Sequence, residues 1–291
     1  PILQGYPDVH VTFNLTPSLI RQLDDLAAGA TDMYWEMTMV PAEQLTDEQK
    51  WFILRYFFDI NPKVIRRFPR YVELAAMRPG SGEAEIQTAM QTWTAQDYRD
   101  LQVLFNLGWT DPDFLAQEPL ASLVARGRDY TEEDKVAILD EHLRILKQVI
   151  PLHRQMQEAG QIEVTMTPFA HPILPLLVDT NLARVALPSV EVPVPPFRFG
   201  QDAVAQVGRG VEMYREHFGT DPRGMWPAEG SVAQQIVNMV GRAGIRWMAS
   251  DEGVLAKSLG MDAFARDVND TVQNADALYR PYTVVGADNI P

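Results

Sequence analysis

Ile162-Glu163-Val164-Thr165-Met166-Thr167, followed by Pro168-Phe169-Ala170-His171-Pro172-Ile173-Leu174-Pro175-Leu176-Leu177, decides the fold. The first six residues read as a strand, and the prolines behind them make a turn that leads into a short helix. Further on, residues 203–218 read as a helix that Gly219 ends. Residues 224–229 read as a short strand edge, 231–242 as a helix capped by Ser231, and 245–249 as a strand running into Ser250-Asp251-Glu252. Strands that alternate with helices pair in parallel through crossover connections, the pattern of an α/β fold.

The same pattern begins near the start of the chain. Val9-His10-Val11-Thr12-Phe13-Asn14-Leu15 alternates and is rich in β-branched and aromatic residues, so it reads as a buried strand. Thr16-Pro17 then opens a helix, because proline's missing N–H costs nothing in the first turn. Leu19, Ile20, Leu23 and Leu26 give that helix an apolar stripe.

From about 46 to 160 the reading is almost wholly helical. Thr46 and Gln49 have the spacing of a capping box, and Trp51, Leu54, Phe57 and Phe58 follow at helical intervals. Further helices are expected over 65–77, 94–106 and 131–159, the last kinked at Pro151 and stopped by Gly160. The stretch is read as a mainly helical insertion within one partial domain covering 1–291. The proline-rich residues 188–196 are irregular, and there is no internal repeat.

Composition narrows the partners. The chain has 291 residues, 46% hydrophobic and 22% charged, so it lacks the signature of disorder. With 25 basic and 39 acidic residues its net charge is −14, which disfavours nucleic acid and membrane surfaces and leaves neutral sugars unpenalised. No cysteine means no disulfide, thiolate nucleophile or zinc–thiolate site, which fits a cytoplasmic protein. Apolar runs stop short of the roughly 20 residues of a membrane span. Both ends read as cut: the chain opens on Pro1-Ile2-Leu3, and 284–291 reads as a strand entering a loop. A further C-terminal region is expected.

Reactive groups in α/β folds lie at the carboxyl ends of strands. His171, Glu229 and the pair Asp251-Glu252 occupy such positions, and Asn14, on the same strand face as His10, is nearer its strand's carboxyl end. Glu229 is expected just ahead of a helix, where the dipole would keep it ionised as a nucleophile requires. The competing reading is an ordinary first-turn glutamate. His171, set in an apolar run, is either a ligand-facing or a satisfied core residue. Asp251 and Glu252 either bind a hydroxyl or cap a helix. Trp226 and Trp247 either stack on a sugar ring or fill the core.

The histidines at 10, 142, 153, 171 and 217 show no paired metal-ligand spacing, and His142 and His153 read as surface residues. No metal and no cofactor is expected. No phosphate-binding loop or nucleophile elbow appears. What remains is carboxylate chemistry on an acidic scaffold dotted with aromatics, which suits glycoside cleavage or transfer.

Gly160–Leu177 and Gly224-Met225-Trp226-Pro227-Ala228-Glu229-Gly230-Ser231-Val232 together resemble glycoside hydrolase family 57, in particular its α-amylase and amylopullulanase-like members. Residues 12–19 and 250–255 fit the same family. The resemblance implies an incomplete seven-stranded (β/α) barrel with large helical insertions. It implies a retaining mechanism on α-glucans, with Glu229 as nucleophile, His171 lining the sugar subsite and Trp226 flanking it. A first motif, His-Gln-Pro, would lie before residue 1. The general acid would be an aspartate beyond residue 291, with Asp251 as the fallback. The implied partners are an α-glucan or maltodextrin and the missing C-terminal part of the same protein. Two rivals stand beside this: an inactive α-glucan-binding module, and a metal-dependent polysaccharide deacetylase.

Overall fold

Ile162, Val164 and Met166 alternate along one strand, and all three are buried in a single apolar core. That alternation fixes which face of the sheet meets the helices. In the computed structural model, which describes residues 2–284, the strand spans Ile162–Met166 (β2) and pairs in parallel with Val11–Leu15 (β1). Gly224–Met225 (β3) and Trp247–Met248 (β4) continue the sheet in the order β1-β2-β3-β4, every pair parallel. The α/β class with a parallel sheet is therefore observed, with four strands among the described residues. The expected strand over 284–291 falls, apart from Val284, outside the described residues.

The chain divides into two compact units. The sheet unit comprises residues up to Asp24 and from Val149 onward. Its core joins Leu15, Val164, Met166 and Met225 to Val207, Val211 and Phe218 of the Gly200–Phe218 helix and to Ile236 and Val240 of the Gln234–Arg242 helix. These two helices are the crossovers between β2, β3 and β4. Gly210 sits where the first of them crosses the sheet. A Cβ there would stand 2.9 Å from the Thr167 carbonyl, so only glycine allows the close approach. The opposite sheet face is polar: the Thr165 hydroxyl lies 3.3 Å from Asn14 Oδ1, and the Trp247 indole N–H donates to Glu163 at 3.0 Å.

The second unit, Asp25–Gln148, is all helix. Leu54, Phe57, Tyr71, Leu101 and Leu104 are fully buried at its centre. Thr46, Thr94 and Thr131 each close a capping box. Buried charges are paired: Arg70 bonds Asp100 at 2.8 Å and Asp97 at 2.5 Å, and Lys135 bonds Glu132 at 2.6 Å. Among the described residues no helix is long and apolar enough to cross a membrane.

Several sequence expectations are corrected. Residues 65–77 are not one helix but the end of Pro62–Ile65 and the whole of Pro69–Met77. Pro69 forces the residue before it out of the helical region, and Phe68 is extended. The helix expected over 131–159 is broken at Lys147 and Gln148 into Glu132–Leu146 and Val149–Glu158. Pro151 thereby falls in a first turn, where no N–H is needed, instead of kinking an interior. Ser231 does not cap the next helix; Ala233 does, because the chain stays extended beyond a tight turn. His142 and His153 are half-buried rather than surface residues. The first bonds Thr110 and the second packs edge-on against Phe13.

Candidate active site

The loop after β2 is pinned before it reaches His171. Phe169 N–H donates to the Gln206 carbonyl at 3.0 Å and Ala170 N–H to the Gln206 side chain at 2.8 Å. The His171 N–H closes a turn on the Pro168 carbonyl at 2.9 Å, and His171 itself adopts a left-handed φ of 56°. Few non-glycine residues tolerate that region, so the surrounding bonds must hold it.

The loop after β3 is built the same way. Trp226 N–H extends the parallel ladder by donating to the Met166 carbonyl at 2.9 Å. Pro227 leads into a single 3-10 turn, Ala228–Gly230, in which Glu229 has φ 58° and Gly230 φ 63°. The Ser250 hydroxyl, beyond β4, donates to the Gly230 carbonyl at 2.8 Å. The ring of Trp226 closes over Gly230, within 3.6 Å of where a Cβ would stand.

These two left-handed turns, on adjacent strands, bring His171 Nε2 to 3.7 Å from Glu229 Oε1. The separation is too long for a hydrogen bond and short enough for electrostatic contact. The side chains are 32% and 73% exposed, so both face solvent where a ligand can reach them. The expectation that Glu229 opens a helix is corrected. The next helix begins at Gln234, so no helix dipole acts on this carboxylate.

The remaining candidates have other attachments. Asp251 caps the Glu252–Ser258 helix by accepting from Gly253 N–H at 2.7 Å. Glu252 accepts from both terminal nitrogens of Arg266, at 2.7 and 2.9 Å, and this bidentate bond holds its carboxyl below the usual carboxylate range. Trp247 lies over Gly224 on the polar sheet face and is tied to Glu163. Asn14 shares that face beside Thr165, while His10 bonds the Gly160 carbonyl at the amino end. Among the described residues no three His, Asp or Glu side chains are grouped so as to hold a metal ion.

Ser250 and Gln206, which hold the two turns, were not singled out by sequence reasoning. Glu163 and Thr165 were also passed over, although their alternation with Ile162, Val164 and Met166 marks them as the polar face of β2.

A carboxylate and an imidazole thus meet at the carboxyl ends of two neighbouring parallel strands in an α/β sheet unit. The model of glycosyl hydrolase family 57 matches residues 10–290, and the chain belongs to that family. A search of curated proteins gave no match. Among solved structures the chain is similar to the α-amylase AmyC from Thermotoga maritima, with 15% identity and a TM-score of 0.35 over 87% of this chain and 32% of that one. A GH57 branching enzyme from Thermococcus kodakaraensis gives 16% identity and a TM-score of 0.29 over 82% and 39%. A GH57-type branching enzyme from Pyrococcus horikoshii gives 15% and 0.27 over 76% and 35%. The chain thus spans well under half the length of each of these structures.

Proposed function

We propose that the protein containing this chain cleaves or transfers α-glucan with retention of configuration, and that Glu229 is its nucleophile. The observation that carries this is the 3.7 Å approach of His171 to an exposed Glu229 at the carboxyl ends of β2 and β3. Family membership supports the reaction class.

Retention needs two carboxyl groups about 5–5.5 Å apart across the scissile bond. In this reading Glu229 attacks the anomeric carbon. As the ester bond forms, the glycosidic bond breaks and its electron pair leaves on the departing oxygen, which the second carboxyl protonates. That group then deprotonates the incoming water or sugar hydroxyl, whose attack releases Glu229. Asp251 is committed to its helix cap and Glu252 to Arg266. The family resemblance assigns the acid to an aspartate beyond residue 291. His171 lines the subsite of the attacked sugar, and Trp226 shapes its floor by packing on Gly230. Asn14 and Trp247 border the same open sheet face.

The test is turnover of maltodextrin by the parent protein carrying Glu229→Gln. A fall of about three to six orders of magnitude with maltodextrin binding retained is the expected result. Near-normal turnover contradicts the assignment. Binding without turnover in the unsubstituted protein would identify an α-glucan-binding module instead.

A further inference from the structure

We infer that the sheet unit carries a second ligand site, for a phosphate-bearing small molecule, at the end of the sheet opposite Glu229. A cavity of about 800 Å³ opens there, against the amino ends of β2, β3 and β4. Sites for small molecules typically measure about 300–1,000 Å³. None of the candidate active-site residues lines it.

Strand register creates the feature that gives this cavity its chemistry. Gly224 pairs with Trp247, so Arg223 and Arg246, the residues just before them, stand side by side on neighbouring parallel strands. Arg246 N–H donates to the Arg223 carbonyl at 2.7 Å, which locks that juxtaposition. Both arginines line the cavity, and Arg154 lines it from the Val149–Glu158 helix.

The carboxylates in the same wall have other attachments. Glu158 takes Arg154 at 2.8 Å and Asp221 takes Arg215 at 2.7 Å, while Glu163 keeps its charge but sits on the polar sheet face with Trp247, the face opposite to that of Arg246 one residue earlier. Among the described residues neither Arg223 nor Arg246 has a carboxylate partner. Two like charges carried by neighbouring residues of adjacent strands repel each other, and an anion held by both offsets that repulsion. Their planar donor forks match the oxygens of a phosphate group bidentately. The arrangement stands out in a chain of net charge −14. The volume exceeds what inorganic phosphate fills, so the occupant assigned is a phosphate monoester of a small organic molecule, for which glucose 6-phosphate is the probe.

Isothermal titration of the 291-residue chain with inorganic phosphate, glucose 6-phosphate and glucose tests this. Saturable one-to-one binding of glucose 6-phosphate, weaker binding of phosphate and none of glucose is the expected pattern. Equal affinity for phosphate and its ester would keep the site but assign it to the free ion. Arg223→Gln and Arg246→Gln are each expected to weaken binding about tenfold, and the double variant to abolish it. The single variants keep the test open if the double variant does not fold. Arg→Lys at either position should restore part of the loss, because charge returns without the fork. No saturable binding of either phosphate compound, or binding unchanged in both single variants, would overturn the proposal. Because the readout is binding to a site remote from Glu229, its failure leaves the proposed glycosidase reading untouched.

Discussion

His171 Nε2 stands 3.7 Å from Glu229 Oε1, and both residues hold left-handed backbone, at φ 56° and 58°. Neither is a glycine, so each turn stores strain of about 1–3 kcal/mol that the surrounding bonds must sustain. Strain of that kind on adjacent strands aims two polar side chains at one point.

Relief of the strain at 229 gives a first prediction. Asparagine tolerates the left-handed region better than glutamate. Glu229→Asn is therefore expected to hold or raise stability by up to about 1 kcal/mol while removing turnover. Thermal unfolding measures this, and a stability loss above about 1 kcal/mol would contradict the picture of a strained, exposed side chain.

Ser250 acts on Glu229 through the Gly230 carbonyl. Ser250→Ala should cost about 0.5–1.5 kcal/mol and lower kcat more than it raises KM, because the turn loosens without losing a sugar contact. Ser250→Thr keeps the hydroxyl and should restore kcat. An effect confined to KM would argue that Ser250 touches substrate instead.

Gly224 is required by its neighbour. A Cβ there would meet the Trp247 ring at 2.3 Å and the Thr165 methyl at 2.8 Å. Gly224→Ala is expected to destabilise by about 1–3 kcal/mol. In a Trp247→Ala background the same change should cost distinctly less, a coupling that a double-mutant cycle reads directly. Additive costs would mean that the ring does not lie where it is placed.

Acid should loosen the helical unit in two steps. Burial, which outweighs a backbone hydrogen bond at Asn106 and the charge of Glu141, lowers the pKa of His142 from its ordinary 6.5. The folded state thus favours the neutral imidazole, which shares a hydrogen bond with the Thr110 hydroxyl through Nε2. This contribution is present above pH 6.5 and is lost as pH falls through the lowered folded value. Burial pushes the Asp97 carboxyl up, but hydrogen bonds from Thr94 and Arg70 prevail and hold it below 3.8. Its contribution is lost further down, as pH falls below that value. Unfolding by urea from pH 7 to 3 should show both steps, with His142→Gln removing the first and Asp97→Asn reducing the second. A flat profile between pH 7 and 5 would contradict the role given to His142.

Much of this architecture was legible in the sequence because local chemistry decided it. Thr46 with Gln49 marks a helix start whatever surrounds it, and the observed capping box follows. Gly160 and Gly219 end helices with φ 75° and 70°, as glycine permits. The alternation of Ile162, Val164 and Met166 set the buried face of β2.

What escaped was set by tertiary structure. The left-handed turns at His171 and Glu229 contradict local preference, so no propensity argument finds them. In sequence Ser231 has the character of a cap and puts Glu229 at a helix start, whereas the turn closed by Gly230 delays the helix to Gln234. The pairing of Arg223 with Arg246 depends on strand register, which two-residue strands do not reveal in sequence.

The central claim is that Glu229 forms a glycosyl ester, and trapping that ester tests it most directly. A fluoride leaving group needs no acid, so 5-fluoro-α-D-glucosyl fluoride can report on this chain by itself. After incubation, proteolysis and mass spectrometry, the added sugar is expected on the peptide containing Glu229 and absent from Glu229→Gln. A label on a different carboxylate, or none under conditions where maltodextrin binds, would contradict it.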